Sequence, residues 1–441
     1  MDIENKLDPS IDYSARQLTN SSLSHMRLVP LSGNQSATVS SGSGQDITFE
    51  IPVQAVNLGE SYFYADVSIA GTASNYTWKH EGICPWSSVQ LFTRGGQYLV
   101  NLQERATDYS RVVMTSDATD EDLQHGSSDG GSSLYANEEE KNLIGGKGAD
   151  GSTAKRYWEQ KYLKRSAIGS ALTYRIIFPL KMLKGTIFEI NKSLLFREVL
   201  VLKLKLAPGN DIAYVNTSDV NPDATPAAAG DITYSNITLY CAQERNAAVV
   251  EGLAAQTSSE AGMTVFSPFP SVFTNIRSGT SQNITLRLNK THGSSLKSIK
   301  NCPFVDGSNN LRYDRINDTT ADTANNKITS YYSNLNNNRL TEFDIVCGND
   351  EDWMLHKKRF KDSPIYNNDI YKQNWIHEDG FENEANKVDG EVDTNCYGGI
   401  DLSQEVRYDF YATCRNASLR HFSIVHGQKV LNINNRGIAY A

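Results

Sequence analysis

The stretch Leu200-Val201-Leu202-Lys203-Leu204-Lys205-Leu206 decides the fold class. Leucine takes every second position, and Val201, Lys203 and Lys205 take the positions between. Successive side chains of a β-strand point to opposite faces, so this pattern sets an apolar face against a core and puts two lysines in water. On a helix the same letters would scatter lysines among leucines around the axis. Working outward, the period recurs. Leu172, Tyr174, Ile176, Phe178 and Leu180 precede the stretch, and Ile237, Leu239 and Cys241 follow it. Ile47, Phe49, Ile51 and Val53 alternate nearer the N-terminus, as do Phe63, Ala65, Val67 and Ile69. Further on come Ile284, Leu286 and Leu288, then Val406, Tyr408 and Phe410. Period two marks half-buried antiparallel strands, and 22 tyrosines suit a pleated surface better than a helical one. The chain reads as all-β.

Helical periodicity is rarer. Leu99, Leu102, Ala106, Tyr109 and Val113 recur at intervals of three and four, with Glu104, Arg105 and Asp108 between them. This spacing predicts one amphipathic helix. A second short helix is expected around Trp353, Met354 and Leu355, ahead of Lys357-Lys358-Arg359. Long polar insertions separate the strands, from Thr115 to Arg156, Asp306 to Lys327 and Glu378 to Gly399. Loops of such length are functional surfaces or connections. The first 25 residues carry no periodicity and read as an arm. The strand-like runs fall into two groups of similar length, with a seam near Asn246 to Gly262.

Composition bounds the function. The 441 residues are 39% hydrophobic and 21% charged, a globular balance. No run approaches the roughly 18 apolar residues of a membrane helix. The opening Met1-Asp2-Ile3-Glu4-Asn5-Lys6 lacks the charged-then-apolar profile of a signal peptide. A net charge of −9 argues against a surface that gathers polyanions, so no specific nucleic-acid binding is expected. The cysteines, Cys84, Cys241, Cys302, Cys347, Cys396 and Cys414, form no C-x-x-C and no zinc spacing with histidine. They read as isolated thiols. Sequons such as Asn75-Tyr76-Thr77, Asn236-Ile237-Thr238, Asn283-Ile284-Thr285 and Asn416-Ala417-Ser418 read as chance matches in an Asn-, Ser- and Thr-rich chain.

Several motifs imitate chemistry without its context. Gly146-Lys147-Gly148-Ala149-Asp150-Gly151 matches a dinucleotide fingerprint but lacks the buried strand before it and the helix after it. Gly126-Ser127-Ser128-Asp129-Gly130 matches a nucleophile elbow inside a low-complexity insertion. His421 and His426, five apart on a strand, face opposite sides and cannot share a metal. Asp389-Gly390-Glu391-Val392-Asp393 lacks the ligand order of a calcium loop. The basic and aromatic cluster Lys155, Arg156, Tyr157, Trp158, Lys161, Tyr162, Lys164 and Arg165 reads as a solvated face or subunit contact before a nucleic-acid site. No catalytic, cofactor-binding or metal-binding residue is assigned, and the protein is expected not to be an enzyme.

The order of the blocks resembles the double jelly-roll major capsid proteins of Polinton-like viruses and virophages. Ser88-Val89-Gln90-Leu91-Phe92-Thr93 followed by the helix through Tyr109 resembles the strand-then-helix block of the family's first jelly roll. Leu172 to Leu180, Glu198 to Ala207 and Ile232 to Cys241 resemble the strands that close it. Gln282 to Leu288, leading through His292-Gly293 and Leu296-Lys297 to Pro303-Phe304, resembles a block of the second roll. Tyr331-Tyr332 with Asn336 to Leu340 looks like the hairpin after it. Gly399-Ile400-Asp401-Leu402 and Lys429-Val430-Leu431-Asn432-Ile433 resemble the penultimate and final strands.

The resemblance implies two tandem eight-stranded antiparallel jelly rolls with short inserted helices and long polar loops. Residues 1–25 would be an N-terminal arm, 26–250 the first jelly roll and 251–441 the second. It implies a major capsid protein of a double-stranded DNA virus, assembled inside the host cell and localised to the virion. Three chains would form a pseudo-hexagonal homotrimer, and trimers would tile an icosahedral shell with penton and minor capsid proteins. The arm, through Arg16 and Arg27, would bind minor capsid partners on the inner side, and deleting residues 2–25 should spare trimers but impair shell assembly. The alternative is a carbohydrate-binding or adhesive β-sandwich protein using Trp78, Trp86 and exposed tyrosines. A β-sandwich hydrolase with paired carboxylates comes third.

Overall fold

The computed structural model describes residues 22–31, 38–69, 75–78, 85–103, 105–117, 162–164, 173–216, 225–226, 230–277, 279–305, 328–347, 352, 354–355, 376–381, 387–388, 391–392, 399–414 and 419–440. It divides into two compact units. Unit 1 is Met1–Met114, Asp120–Ser267 and Val430–Ala441, and unit 2 is Thr115–Thr119 and Pro268–Lys429.

The strands of unit 1, in chain order, are β1 (Leu23–Leu28), β2 (Asp46–Ile51), β3 (Ala55–Ile69), β4 (Trp86–Thr93), β5 (Tyr98–Leu102), β6 (Thr173–Pro179), β7 (Leu200–Leu206) and β8 (Ile232–Glu244). Helix α1 (Ala106–Asp117) separates β5 from β6, and α2 (Ala247–Ser258) follows β8. One sheet carries the order β1-β8-β3-β6, and the other β2-β7-β4-β5, every pairing antiparallel. A chain whose strands pair in this interleaved order wraps as a jelly roll. The alternation in β7 buries Leu200, Leu202, Leu204 and Leu206 and leaves Lys203 to pair with Asp46 at 2.9 Å. Trp86 of β4 meets Phe63 of β3 and Phe178 of β6 edge-on, both at 4.9 Å between centroids, and so joins the two sheets. Such aromatic pairs contribute about 0.5–1.5 kcal/mol each beyond their burial. A smaller sheet orders Thr225–Pro226, Ala213–Asn216, Asn75–Trp78 and Tyr162–Lys164.

Unit 2 repeats the wrapping. Its main strands, the first and last of which reach into unit 1, are β9 (Met263–Arg277), β10 (Ser281–Leu288), β11 (Ser295–Val305), β12 (Ile328–Leu335), β13 (Asn338–Arg339), β14 (His377–Gly380), β15 (Val406–Cys414) and β16 (Leu419–Asn434). One sheet runs β9-β16-β11-β14, and the other β10-β15-β12-β13. Adding eight to each label of the first roll reproduces both orders. The hairpin between β12 and β13 turns on Asn336 and Asn337, at φ of 49° and 66°. Two successive left-handed residues are what a tight two-residue hairpin requires, and asparagine tolerates them best after glycine. A final strand, β17 (Gly437–Tyr440), folds back on Leu431–Asn434 and belongs to unit 1.

Two sequence expectations shift. The helix begins at Ala106, not near Leu99, because Tyr98–Leu102 turns at Gly95-Gly96 and pairs with β4. Leu99 and Leu102 fit a helical spacing, yet both are buried from a strand. Leu23, Ser24 and His25, read as arm, already pair with Glu244, Gln243 and Ala242 of β8. Near the second expected helix, Asp352, Met354 and Leu355 are helical.

Candidate functional site

The second roll encloses polar side chains between its sheets. On the inner face of β11, Asn301 lies in register between His377 of β14 and Ser423 of β16, and Ile299 lies between Asp379 and Val425. The facing sheet supplies Tyr331 and Ser333 from β12 and Tyr408 and Phe410 from β15. The Tyr408 hydroxyl accepts from Asn301 Nδ2 at 2.7 Å and donates to Asp379 Oδ2 at 2.6 Å. Ser333 Oγ donates to the same carboxylate oxygen at 2.6 Å, and His377 Nε2 lies 3.2 Å from the other. Ser423 donates to Asn301 Oδ1 at 2.9 Å. Tyr331 packs on the His377 ring at 4.5 Å and donates to Asp352 at 2.8 Å.

Burial pushes the Asp379 carboxyl upward, but His377 and the donors Ser333 and Tyr408 outweigh it and hold the group below the usual carboxylate range. Burial, then the Asp379 charge, pushes the Tyr408 phenol well above its ordinary value. A carboxylate with its oxygens occupied and a phenol so raised do not exchange protons near neutrality. The cluster acts as a fastener between sheets. The partners named above are polar groups of the fold itself, and such hydrogen-bonded networks rigidify a core.

The opposite face of β11 carries a second buried group. Lys300, between Ile299 and Asn301, points away from that network. Its side chain is 2% exposed. Nζ donates to Ser116 Oγ at 2.9 Å and meets both carboxylate oxygens of Asp117, residues at the end of α1 grouped with unit 2. Glu378 of β14 is the direct register partner of Lys300. His426 of β16 lies one alternation along from Ile424, the partner of Lys300 on the other side. Burial works against the Lys300 charge, and Asp117 and Glu378 more than offset it, holding the amine above its usual range. Burial and the Lys300 charge press His426 down to about 4.

The surface of unit 2 offers apolar side chains close together in sequence. Phe343, Val346 and Met354 are 53%, 51% and 58% exposed, and Leu340 and Leu355 are exposed beside them in the chain. Singly exposed apolar residues are normal on a protein surface, and these five are near one another in sequence.

Several sequence-level candidates lie outside the described residues: the glycine motifs at 126–130 and 146–151, Cys84 and Cys396, and most of the basic cluster at 155–165. Cys241, Cys302, Cys347 and Cys414 stand outside any disulfide. Strand β16 sends its histidines to opposite faces, His421 to Gln282 and the Phe410 ring, His426 to the Lys300 cluster. Trp86, a candidate sugar platform, is fully buried against Phe63 and Phe178 and cannot stack on a ligand. The sequence reading missed Asn301, Lys300 and Asp379 altogether. The one available signal was polar letters within the 295–305 strand, a pattern that usually denotes a solvated face.

No family model and no curated protein sequence matches the chain. Solved structures do. The PBCV-1 virus capsid matches at a TM-score of 0.58 and 10% identity, over 97% of this chain and 98% of that one. The Sputnik virophage structure matches at 0.56 and 12% identity, over 98% and 92%. The mavirus major capsid protein matches at 0.52 and 9% identity, over 98% and 90%. At these identities the likeness establishes the fold. The chain has the double jelly-roll architecture of viral major capsid proteins, spanned from end to end.

Proposed function

We propose that the protein is a major capsid protein that forms trimeric, pseudo-hexagonal capsomers and builds the icosahedral shell of a double-stranded DNA virus. The observation that carries this reading is the whole-chain match to capsid proteins, both rolls in tandem, at 96–98% coverage of this chain. A single jelly roll occurs in lectins and enzymes as well as capsids. Two in one chain with the same strand order narrow that choice. The exposed apolar side chains of Leu340, Phe343, Val346, Met354 and Leu355 support an associating protein, since stable assemblies cover such side chains. The hydrogen-bonded network that ties Asp379 to Tyr408 and Ser333 supports a structural role over catalysis. In this reading the strands from Leu23 to Glu244 and from Met263 to Asn434 supply the two rolls, no cofactor or metal is required, and the finished protein resides in the virion beside penton and minor capsid proteins.

Light scattering with negative-stain imaging of the purified protein tests the reading. The expected mass is three times the 48.9 kDa of one chain, with hexagonal outlines. A monodisperse monomer that also fails to assemble with its viral partners would overturn it. The arm is proposed to bind minor capsid proteins on the inner side. Because β1 starts at Leu23, deletion of residues 2–21 isolates the arm from the sheet. That truncated protein is expected to trimerise normally and to form few closed shells. Loss of the trimer itself would refute the arm's placement.

A further inference from the structure

We propose that Lys300 and Asp117 form an intramolecular isopeptide bond, with Glu378 as the proton carrier. Three features of the cluster converge on this chemistry. Lys300 Nζ contacts both oxygens of the Asp117 carboxylate, which places the nitrogen in front of the carboxyl carbon rather than beside one oxygen. The lysine is withdrawn from water, 2% exposed, on the face of a sheet that holds it rigidly. A second carboxylate, Glu378, stands directly across the strand pair from the lysine, on the same face. An ordinary buried ion pair needs the first two features and not the third. A second acid beside a completed Lys–Asp pair adds a negative charge that the pair does not need, whereas amide formation needs a group that can take up and return a proton.

The step balances within the cluster. Glu378 accepts a proton from the Lys300 ammonium and passes it to one Asp117 carboxylate oxygen, leaving a neutral amine whose lone pair attacks the carbon of the protonated carboxyl. The Nζ–Cγ bond forms, and the Cγ–O bond to the protonated oxygen breaks. A second nitrogen proton leaves with the oxygen, so one water is released and Glu378 returns to its starting state. No oxidant, metal or cofactor enters. In dilute solution water opposes amide formation, but well-oriented neighbouring groups reach effective molarities of about 10⁵–10⁸ M. The exposed edge of the site, where the Asp117 side chain is 30% exposed, gives the released water a way out. Ser116 Oγ, 2.9 Å from Nζ, holds the amine in line. The bond would close a covalent loop across 183 positions of sequence, a length for which a crosslink strongly restricts the unfolded chain.

Mass spectrometry of the full-length protein, denatured after purification, tests this directly. The expected intact mass is one water below the sequence mass, and proteolysis should yield a branched peptide containing Lys300 and Asp117. A protein at its full sequence mass, with Lys300 and Asp117 recovered in separate peptides, would overturn the proposal and leave a salt bridge. Glu378→Gln keeps Lys300 and Asp117 and preserves the side-chain shape. It is expected to fold with an unchanged circular dichroism spectrum but to show the full mass. Full loss of water in that variant would remove Glu378 from the reaction. The reading of the chain as a capsid protein stands or falls on assembly, not on this mass.

Discussion

At the scale of single residues, His426 governs an acid sensitivity separable from that of the carboxylates. Its ring is buried among Lys300, Asp117 and Glu378, and burial is the largest force keeping it neutral down to about pH 4 instead of its ordinary 6.5. The unfolded chain takes up this proton near 6.5 and the folded chain only near 4. Between those values the unfolded state therefore binds more protons, and stability falls as pH is lowered. The loss across the window is on the order of 3 kcal/mol by the pKa-to-energy relation. Asp379 behaves differently. Its carboxyl is held below 3.8, so the stability it contributes is present above that value and disappears only as pH falls through its folded pKa. Urea unfolding midpoints measured from pH 7 to pH 4 should decline in the wild type and stay nearly level in His426→Gln. An equal decline in both proteins would show that another group sets the slope. Burial remains whether Lys300 and Asp117 are joined by charge or by an amide, so the direction holds in either state.

At the scale of elements, the joint of β1, β8 and α2 rests on one carboxylate. Glu244, 2% exposed at the end of β8, accepts at Oε1 from the backbone N–H groups of Ser22, Arg245 and Asn246 at 2.9, 3.0 and 2.8 Å. Its other oxygen accepts from Ser193 at 3.3 Å. Asn246 then caps α2 through Ala248 N at 3.0 Å. Glu244→Gln replaces one acceptor with an NH₂ group that faces donors, at a cost of about 1–3 kcal/mol for buried groups left unsatisfied. Hydrogen exchange of the Leu23–Leu28 amides should accelerate by about 10–100-fold while β7 stays protected. Unchanged exchange at β1 would mean that the strand is held by its ladder alone. The same elements define what was legible in the sequence. Strand β7 could be read because its two faces meet different media, leucine inward and lysine outward. Strand β5 was mistaken for a helix start because Leu99 and Leu102 satisfy both periods in a five-residue element, too short for periodicity to arbitrate. Strand β11 hid its site because Lys300 and Asn301 are buried on opposite faces, and their partners Asp117, Tyr408 and Ser423 are supplied by tertiary pairing at long separation.

At the scale of the whole molecule, two rolls with the same strand order and no visible letter-level repeat point to topology as the retained property. Each roll solves its core differently: the first with Trp86 between Phe63 and Phe178, the second with the Asp379 network between aromatic rings. Among the exposed apolar side chains outside the cores are five on unit 2, Leu340, Phe343, Val346, Met354 and Leu355. An isolated monomer gains nothing from holding these side chains in water, and burying each one fully is worth roughly 1.5–3 kcal/mol. If association covers them, a charge placed there must be desolvated without a partner, a cost that exceeds the lost apolar burial. The double variant Phe343→Asp, Met354→Asp is therefore expected to keep the monomer fold, since both side chains already face water, and, in the trimer proposed above, to move the light-scattering mass from three chains toward one. The single variant Thr274→Asp, at an exposed polar position of β9, should leave the mass unchanged. A double variant that stays trimeric would place the cluster outside the trimer contact, whereas loss of the trimer in the Thr274→Asp control would show that added negative charge alone disperses this acidic chain.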